Sequence, residues 1–280
     1  MVAVAIVLFI VICIVVLYKI SVSPVTEGFV STSYTLPRTI WSYWHDPVIP
    51  PKVASMLEER AVLPWEHIVL NKTTVHDYID PSIFPKGYDE LSHQHQADWI
   101  RLYILKVYGG CWMDASILVN SGVELESLYQ RSLEAESEFT GFYLQGHTLG
   151  GVPETYIENW FIMAPKGSRI IELWYKEYTM AVEMGFKAYK KRVFSKIDVS
   201  NIYGRDDDNT YLTQHAALQY VLRLLPEPAN IIIVDASDTM FKPHVDCKWD
   251  TECTLKYIKE TPREQQPAFI KLRSNERNLL

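Results

Sequence analysis

The stretch from Gln96 to Ser116 constrains this chain more than any other. From Gln96 to Tyr108 it has the spacing of an amphipathic helix. Ile100, Ile104 and Val107 can face a core, while Asp98 and Arg101, three apart, share a face. Gly109 and Gly110 supply the left-handed conformation that ends a helix without a Cβ clash. Cys111-Trp112-Met113-Asp114-Ala115-Ser116 then reads as a short buried strand that delivers one carboxylate to its end. Helix, glycine stop and strand predict that Asp98, Arg101 and Asp114 converge on one ligand carrying hydroxyls and phosphate.

The remaining pattern places this motif in a larger layer structure. Strands are expected at Thr39–Trp44, His67–Leu70, Phe139–Leu144, Asn159–Ala164, Ile231–Val234 and Phe269–Leu272. Helices are expected near 52–62, 168–184 and 208–225, with Asp208 as an N-cap and Pro226 as a stop. Such alternation predicts an α/β fold with a mostly parallel central sheet flanked by helices. Ligands of such sheets bind at the carboxyl ends of strands, where Asp114 falls. With 280 residues, 48% of them hydrophobic, the chain can bury one large core. A net charge of −7 argues against a nucleic-acid partner, which needs a basic face. No Gly-x-Gly-x-x-Gly, no phosphate-binding Gly-x-x-x-x-Gly-Lys and no Gly-x-Ser-x-Gly occurs, which disfavours dinucleotide oxidoreductases, P-loop enzymes and α/β-hydrolases.

Residues 1–17 carry no charge and are followed by Tyr18 and Lys19. Residues 1–20 are therefore expected to be a transmembrane signal anchor in a lipid bilayer, since about 20 apolar residues span its core. A cleaved signal peptide fits less well, because no basic segment precedes the apolar run and Pro24 follows the small-residue candidate Ser21-Val22-Ser23. Residues 21–35 read as a stem and 36–280 as the folded domain. The expected product is a single-pass type II membrane protein with its domain in the Golgi or ER lumen, a cytoplasmic-facing domain being the alternative. Cys247 and Cys253 are spaced for a small disulfide loop, and Asn71-Lys72-Thr73 is a glycosylation sequon; both lean towards a lumen without settling it.

Three segments, Leu36–Trp44, Ala97–Leu105 and Tyr108–Ser116, closely resemble the capsular polysaccharide synthesis family, which is related to glycosyltransferases with a DxD motif, including yeast-type mannosyltransferases and the glucosylating clostridial toxins. The likeness is strong from Leu36 to about Val119 and thinner afterwards. It implies a GT-A-like nucleotide-sugar-binding fold and a glycosyltransferase, a hexosyl- or pentosyltransferase, that moves a sugar from a UDP- or GDP-sugar donor to a glycan or polysaccharide hydroxyl. By the same resemblance Ile40 to His45 hold the base, with Trp41 or Trp44 available for stacking or for the core. Asp98 and Arg101 contact the sugar and the diphosphate side of the donor. Asp114 meets ribose and a divalent cation, Mn²⁺ or Mg²⁺, and Ser116 stands where the wider group has a second Asp. Asn159 is assigned to donor or acceptor hydroxyls. Serine is a weaker ligand than a carboxylate, so this departure weakens the expected metal site.

Other candidates have plainer explanations. Asp235-Ala236-Ser237 repeats the Asp-Ala-Ser pattern without the preceding helix and glycine pair, and reads as a strand-end turn. Asp206-Asp207-Asp208 suits a helix N-terminus. His93 and His95 diverge on a helix, and His215 fits a core or surface position as well as an acceptor site. Two other functional classes stay open: a catalytically inactive glycan-binding protein, and a glycosidase using paired carboxylates.

Overall fold

The computed structural model describes residues 34–204 and 209–279. Its six-stranded sheet has the order β2-β1-β3-β6-β5-β7, where β1 is Thr39–Tyr43, β2 Glu66–Leu70, β3 Gly110–Met113, β5 Phe139–Tyr143, β6 Ile157–Ala164 and β7 Ile231–Asp235. A separate two-stranded sheet pairs β4 (Ile117–Val119) with β8 (Phe269–Lys271), antiparallel, with Ile117 opposite Lys271. Helices α1 (Pro51–Glu59), α2 (His93–Tyr108), α3 (Val123–Glu134), α4 (Arg169–Met184), α5 (Phe186–Phe194), α6 (Thr213–Leu224), α7 (Thr251–Glu260) and α8 (Ser274–Leu279) complete the frame.

The fold is mixed α/β, and the expected mostly parallel sheet is interrupted by one strand, β6. β1 pairs in parallel with β2 and β3, and β5 with β7, whereas β6 runs antiparallel to both β3 and β5. The cause lies in the link from β5 to β6. Residues 144–156 hold only 3-10 turns, and without a crossover helix the chain returns antiparallel. The expected last strand also joins β4 instead of the main sheet.

Helix α2 starts at His93, where Ser92 Oγ accepts from the His95 amide at 3.4 Å. It ends at Gly109, with φ of 68°, and Gly110 follows at 100°. A Cβ on Gly109 would stand 2.6 Å from Lys166 N, and one on Gly110 2.6 Å from Thr39 O, so close approach as well as φ demands glycine at both. The apolar run after the glycines lets β3 be buried at all four residues. Trp99 and Trp174, both fully buried, tie α4 to its neighbours: Trp99 Nε1 on α2 donates to Thr179 Oγ1 on α4 at 3.0 Å, and Trp174 Nε1 on α4 donates to Gln214 O on α6 at 2.8 Å.

The expectation of a single-pass membrane protein with a transmembrane helix is corrected too. Among the described residues no helix is long and apolar enough to cross a membrane. The expected anchor 1–20 and most of the stem 21–35 lie outside the described residues, as do Asp206, Asp207 and Asp208. Cys247 and Cys253 form a disulfide with a Cα–Cα distance of 5.6 Å. The Asn71 side chain, in the sequon, accepts from the amides of Thr73 and Thr74. Asp235 Oδ1 accepts from the Ser237 amide at 2.9 Å, which closes the turn at the end of β7.

Candidate active site

The glycine turn folds α2 back along β3, so the helix presents Asp98 and Arg101 to the strand end that carries Asp114. Arg101 joins the two acids: Nη1 donates to Asp98 Oδ1 at 2.7 Å and Nη2 to Asp114 Oδ1 at 3.0 Å. Its Nη1 also donates to Gln214 Oε1 at 2.6 Å, and Gln214 Nε2 donates back to the Asp98 carbonyl at 2.6 Å. Asn159 Nδ2 donates to Asp98 Oδ1 at 3.1 Å and to Gln214 Oε1 at 2.7 Å. Trp112 Nε1 completes the set with a 3.0 Å bond to Asp114 Oδ1. Side-chain exposure rises from 4% for Arg101 to 11% for Asp98 and 25% for Asp114. Arg101 is thus interior scaffolding, and Asp114 is the member most open to a ligand.

These groups line a cavity of about 430 Å³, within the usual range for small-molecule sites. Trp44, Asp98, Arg101, Asp114, Ser116 and Asn159 all reach it. Ile40 and Trp41 do not. Ile40 is fully buried, and Trp41, 3% exposed, donates Nε1 to Gly109 O at 2.9 Å while its ring meets Tyr78 and Tyr108. β1 is paired on both edges and buried, so the cavity is reached only from its end, by Tyr43, Trp44 and His45. The rings of His45 and His93 stack 3.5 Å apart at the wall, and His215 lines it with Nε2 3.4 Å from Glu158 Oε2.

The family model described as Capsular polysaccharide synthesis protein matches residues 27–182, more than half of the chain. The chain belongs to this family. It is 27% identical over 163 residues to O-glycosyltransferase braB of Annulohypoxylon truncatum, an alignment covering 50% of this chain and 36% of that protein. The chain therefore spans well under two thirds of that relative's length. Among solved structures it is similar to a glycosyltransferase involved in the glycosylation of the major capsid of PBCV-1, with 13% identity, a TM-score of 0.45 and coverage of 86% of this chain and 97% of that one. It is also similar to the PaToxG glycosyltransferase, with 12% identity, a TM-score of 0.37 and coverage of 88% and 84%.

Within this member of the capsular polysaccharide synthesis family, the residues expected as metal ligands are already engaged. Lys271, on β8, donates Nζ to Asp114 Oδ2 at 3.1 Å and to Ser116 Oγ at 2.5 Å. One carboxylate and one hydroxyl already bridged by an ammonium do not fit a divalent cation, because the positive charge on Lys271 occupies both oxygens and would repel it. No group of three or more His, Cys, Asp or Glu suited to a metal occurs among the described residues. Burial alone would raise the Asp114 pKa, but Lys271, Arg101 and the Trp112 bond outweigh it and hold the carboxyl at about 2.

Four contributors escape the sequence reading: Arg60, Gln214, Lys271 and Arg277. Arg60, 1% exposed, follows the end of α1 and donates to the carbonyls of Met113 at 3.2 Å, Ile117 at 2.9 Å and Asp114, and to Ser42 Oγ at 2.9 Å. It fixes the main chain of the turn that bears Asp114.

Proposed function

We propose that this chain moves a hexosyl or pentosyl group from a UDP- or GDP-sugar donor to a hydroxyl of a glycan or polysaccharide acceptor, with residues 36–280 as the transferase domain. The observation that carries the reading is the joining of Asp98 and Asp114 through one buried arginine in the wall of a single cavity. Ionised carboxylates are strong acceptors for ribose and sugar hydroxyls. Arg101 cancels their repulsion and fixes their separation, and Asn159 and Gln214 lock the Asp98 side. Trp44 offers an aromatic face at the opening for a base. Catalysis then consists of holding the acceptor hydroxyl near the anomeric carbon and stabilising the departing diphosphate. The name of the Annulohypoxylon relative, an O-glycosyltransferase, supports this class.

The glycosidase alternative requires a carboxyl that stays protonated near neutral pH. Asp114, held at about 2, is a poor donor of that proton. The test is incubation of the protein with a panel of nucleotide sugars and measurement of released nucleoside diphosphate. Release from at least one donor is expected; absence of release together with absence of UDP or GDP binding would overturn the reading.

A further inference from the structure

Two cations approach Asp114 from the last strand and helix, beyond the family match that ends at residue 182, and of these Arg277 lines the cavity while Lys271 meets Asp114 and Ser116 off its lining. Lys271 bridges Asp114 and Ser116, the two side chains that a metal would have to share. Arg277, on α8, lines the cavity with its guanidinium 4.9 Å above the Trp44 ring. Among the described residues that guanidinium makes no direct ion pair with a carboxylate, and only the Asp114 charge acts on it from farther away. Half-buried at the cavity wall, it can take an incoming anion, and its planar fork matches two phosphate oxygens.

We propose that Lys271 and Arg277 supply, as fixed side-chain charge, the stabilisation of a leaving diphosphate that a divalent cation supplies in metal-dependent sugar transfer, so that turnover here needs no added metal. The inference rests on the nucleotide-sugar reading above. Lys271 neutralises Asp114 at the position a metal would take and prevents that carboxylate from repelling the diphosphate. Arg277 faces the phosphates directly. A divalent cation entering the same place would have to displace the Lys271 ammonium, with the Arg101 guanidinium beside it on the other Asp114 oxygen.

Donor breakdown by water gives the simplest assay. The bond from the anomeric carbon to the phosphate oxygen breaks and its electron pair stays on the diphosphate. Water oxygen bonds the carbon, and one proton passes to solvent. Release of nucleoside diphosphate is measured in excess EDTA and in Mn²⁺ or Mg²⁺. Rates equal within about 2-fold are expected, since fixed charges already stand at the leaving group. Release only with added metal would overturn the inference and leave the transferase reading intact. No release and no nucleoside diphosphate binding in either condition would overturn both.

Binding in EDTA separates a phosphate contact from a structural role. Arg277→Gln is expected to weaken UDP or GDP binding by about 10-fold or more while the matching nucleoside changes by less than about 2-fold, because only the diphosphate meets the guanidinium. Equal loss for nucleoside and nucleotide, or no loss, contradicts the proposal. Lys271→Met is expected to lower release by about 10-fold or more and Lys271→Arg to restore part of it, because the charge and not the stem acts on the diphosphate. Full activity of Lys271→Met in EDTA would count against it.

Discussion

Arg60 and Arg101 are both buried, 1% and 3% exposed, and both hold residue 114, but they grip different parts of it. Arg101 takes the side chain and spends its guanidinium on two carboxylates and an amide oxygen. Arg60 meets no carboxylate; it takes main-chain carbonyls at the end of β3 and in the turn beyond. Burial draws its pKa down to about 10, with Asp114 as the leading opposing charge, so it still carries its proton at neutral pH. One arginine therefore builds the charged cluster, and the other sets the backbone on which the cluster depends.

The sharpest way to break this contrast is Arg60→Leu. It leaves several carbonyls without donors in the interior and is expected to destabilise the fold by about 3–5 kcal/mol, with loss of nucleotide release as a consequence. Urea unfolding measures the first effect, and Arg60→Lys, a point charge without the fork, is not expected to rescue it. Loss of activity with unchanged stability would contradict a scaffolding role. Arg101→Gln comes next. Asp114 keeps Lys271 and Trp112, and Asp98 keeps Asn159, so the expected cost is smaller, about 2–3 kcal/mol, while nucleotide release falls by about 100-fold or more. If the two variants gave the same ratio of lost stability to lost turnover, the division of labour would fail.

The smallest effect sits beside Arg60. His67 Nε2 lies 3.2 Å from Ser42 Oγ, and burial followed by the Arg60 charge lowers its pKa to about 4. Its folded value is below its unfolded value of about 6.5. The unfolded chain then binds more protons between these limits, and stability falls as pH drops from about 6.5 to about 4. His67→Gln should change stability at pH 7 by less than about 1 kcal/mol and remove on the order of 2 kcal/mol of that pH-dependent loss. Chemical denaturation at several pH values reads the slope; an unchanged slope would mean that His67 is protonated in the native state.

What the sequence makes legible follows the same division. Asp98, Arg101 and Asp114 can be foreseen as neighbours because helical spacing and a glycine stop are local signals. Arg60 reads as an ordinary charged helix end after Glu58 and Glu59, since its burial arises only when α1 crosses the end of β3. Gln214 is polar at a buried helix face with no local mark of its partners. Lys271 left a clue: a lysine amid Phe269, Ile270 and Leu272 calls for a buried partner. The antiparallel β6 was equally hidden, because the helix-free connection that dictates it had to be recognised from residues 144–156 with no repeating pattern.

The most direct test of the site is Asp114→Asn, which keeps shape and removes charge. From a carboxyl held at about 2, neutralisation is expected to cost on the order of 2 kcal/mol and to lower Tm by less than about 10 °C, with unfolding still cooperative. Nucleoside diphosphate release from the preferred donor should fall by about 100-fold or more in that folded variant, because positioning of the donor hydroxyls and the charge balance with Lys271 are both lost. A folded Asp114→Asn protein that releases nucleotide at the wild-type rate would contradict the account.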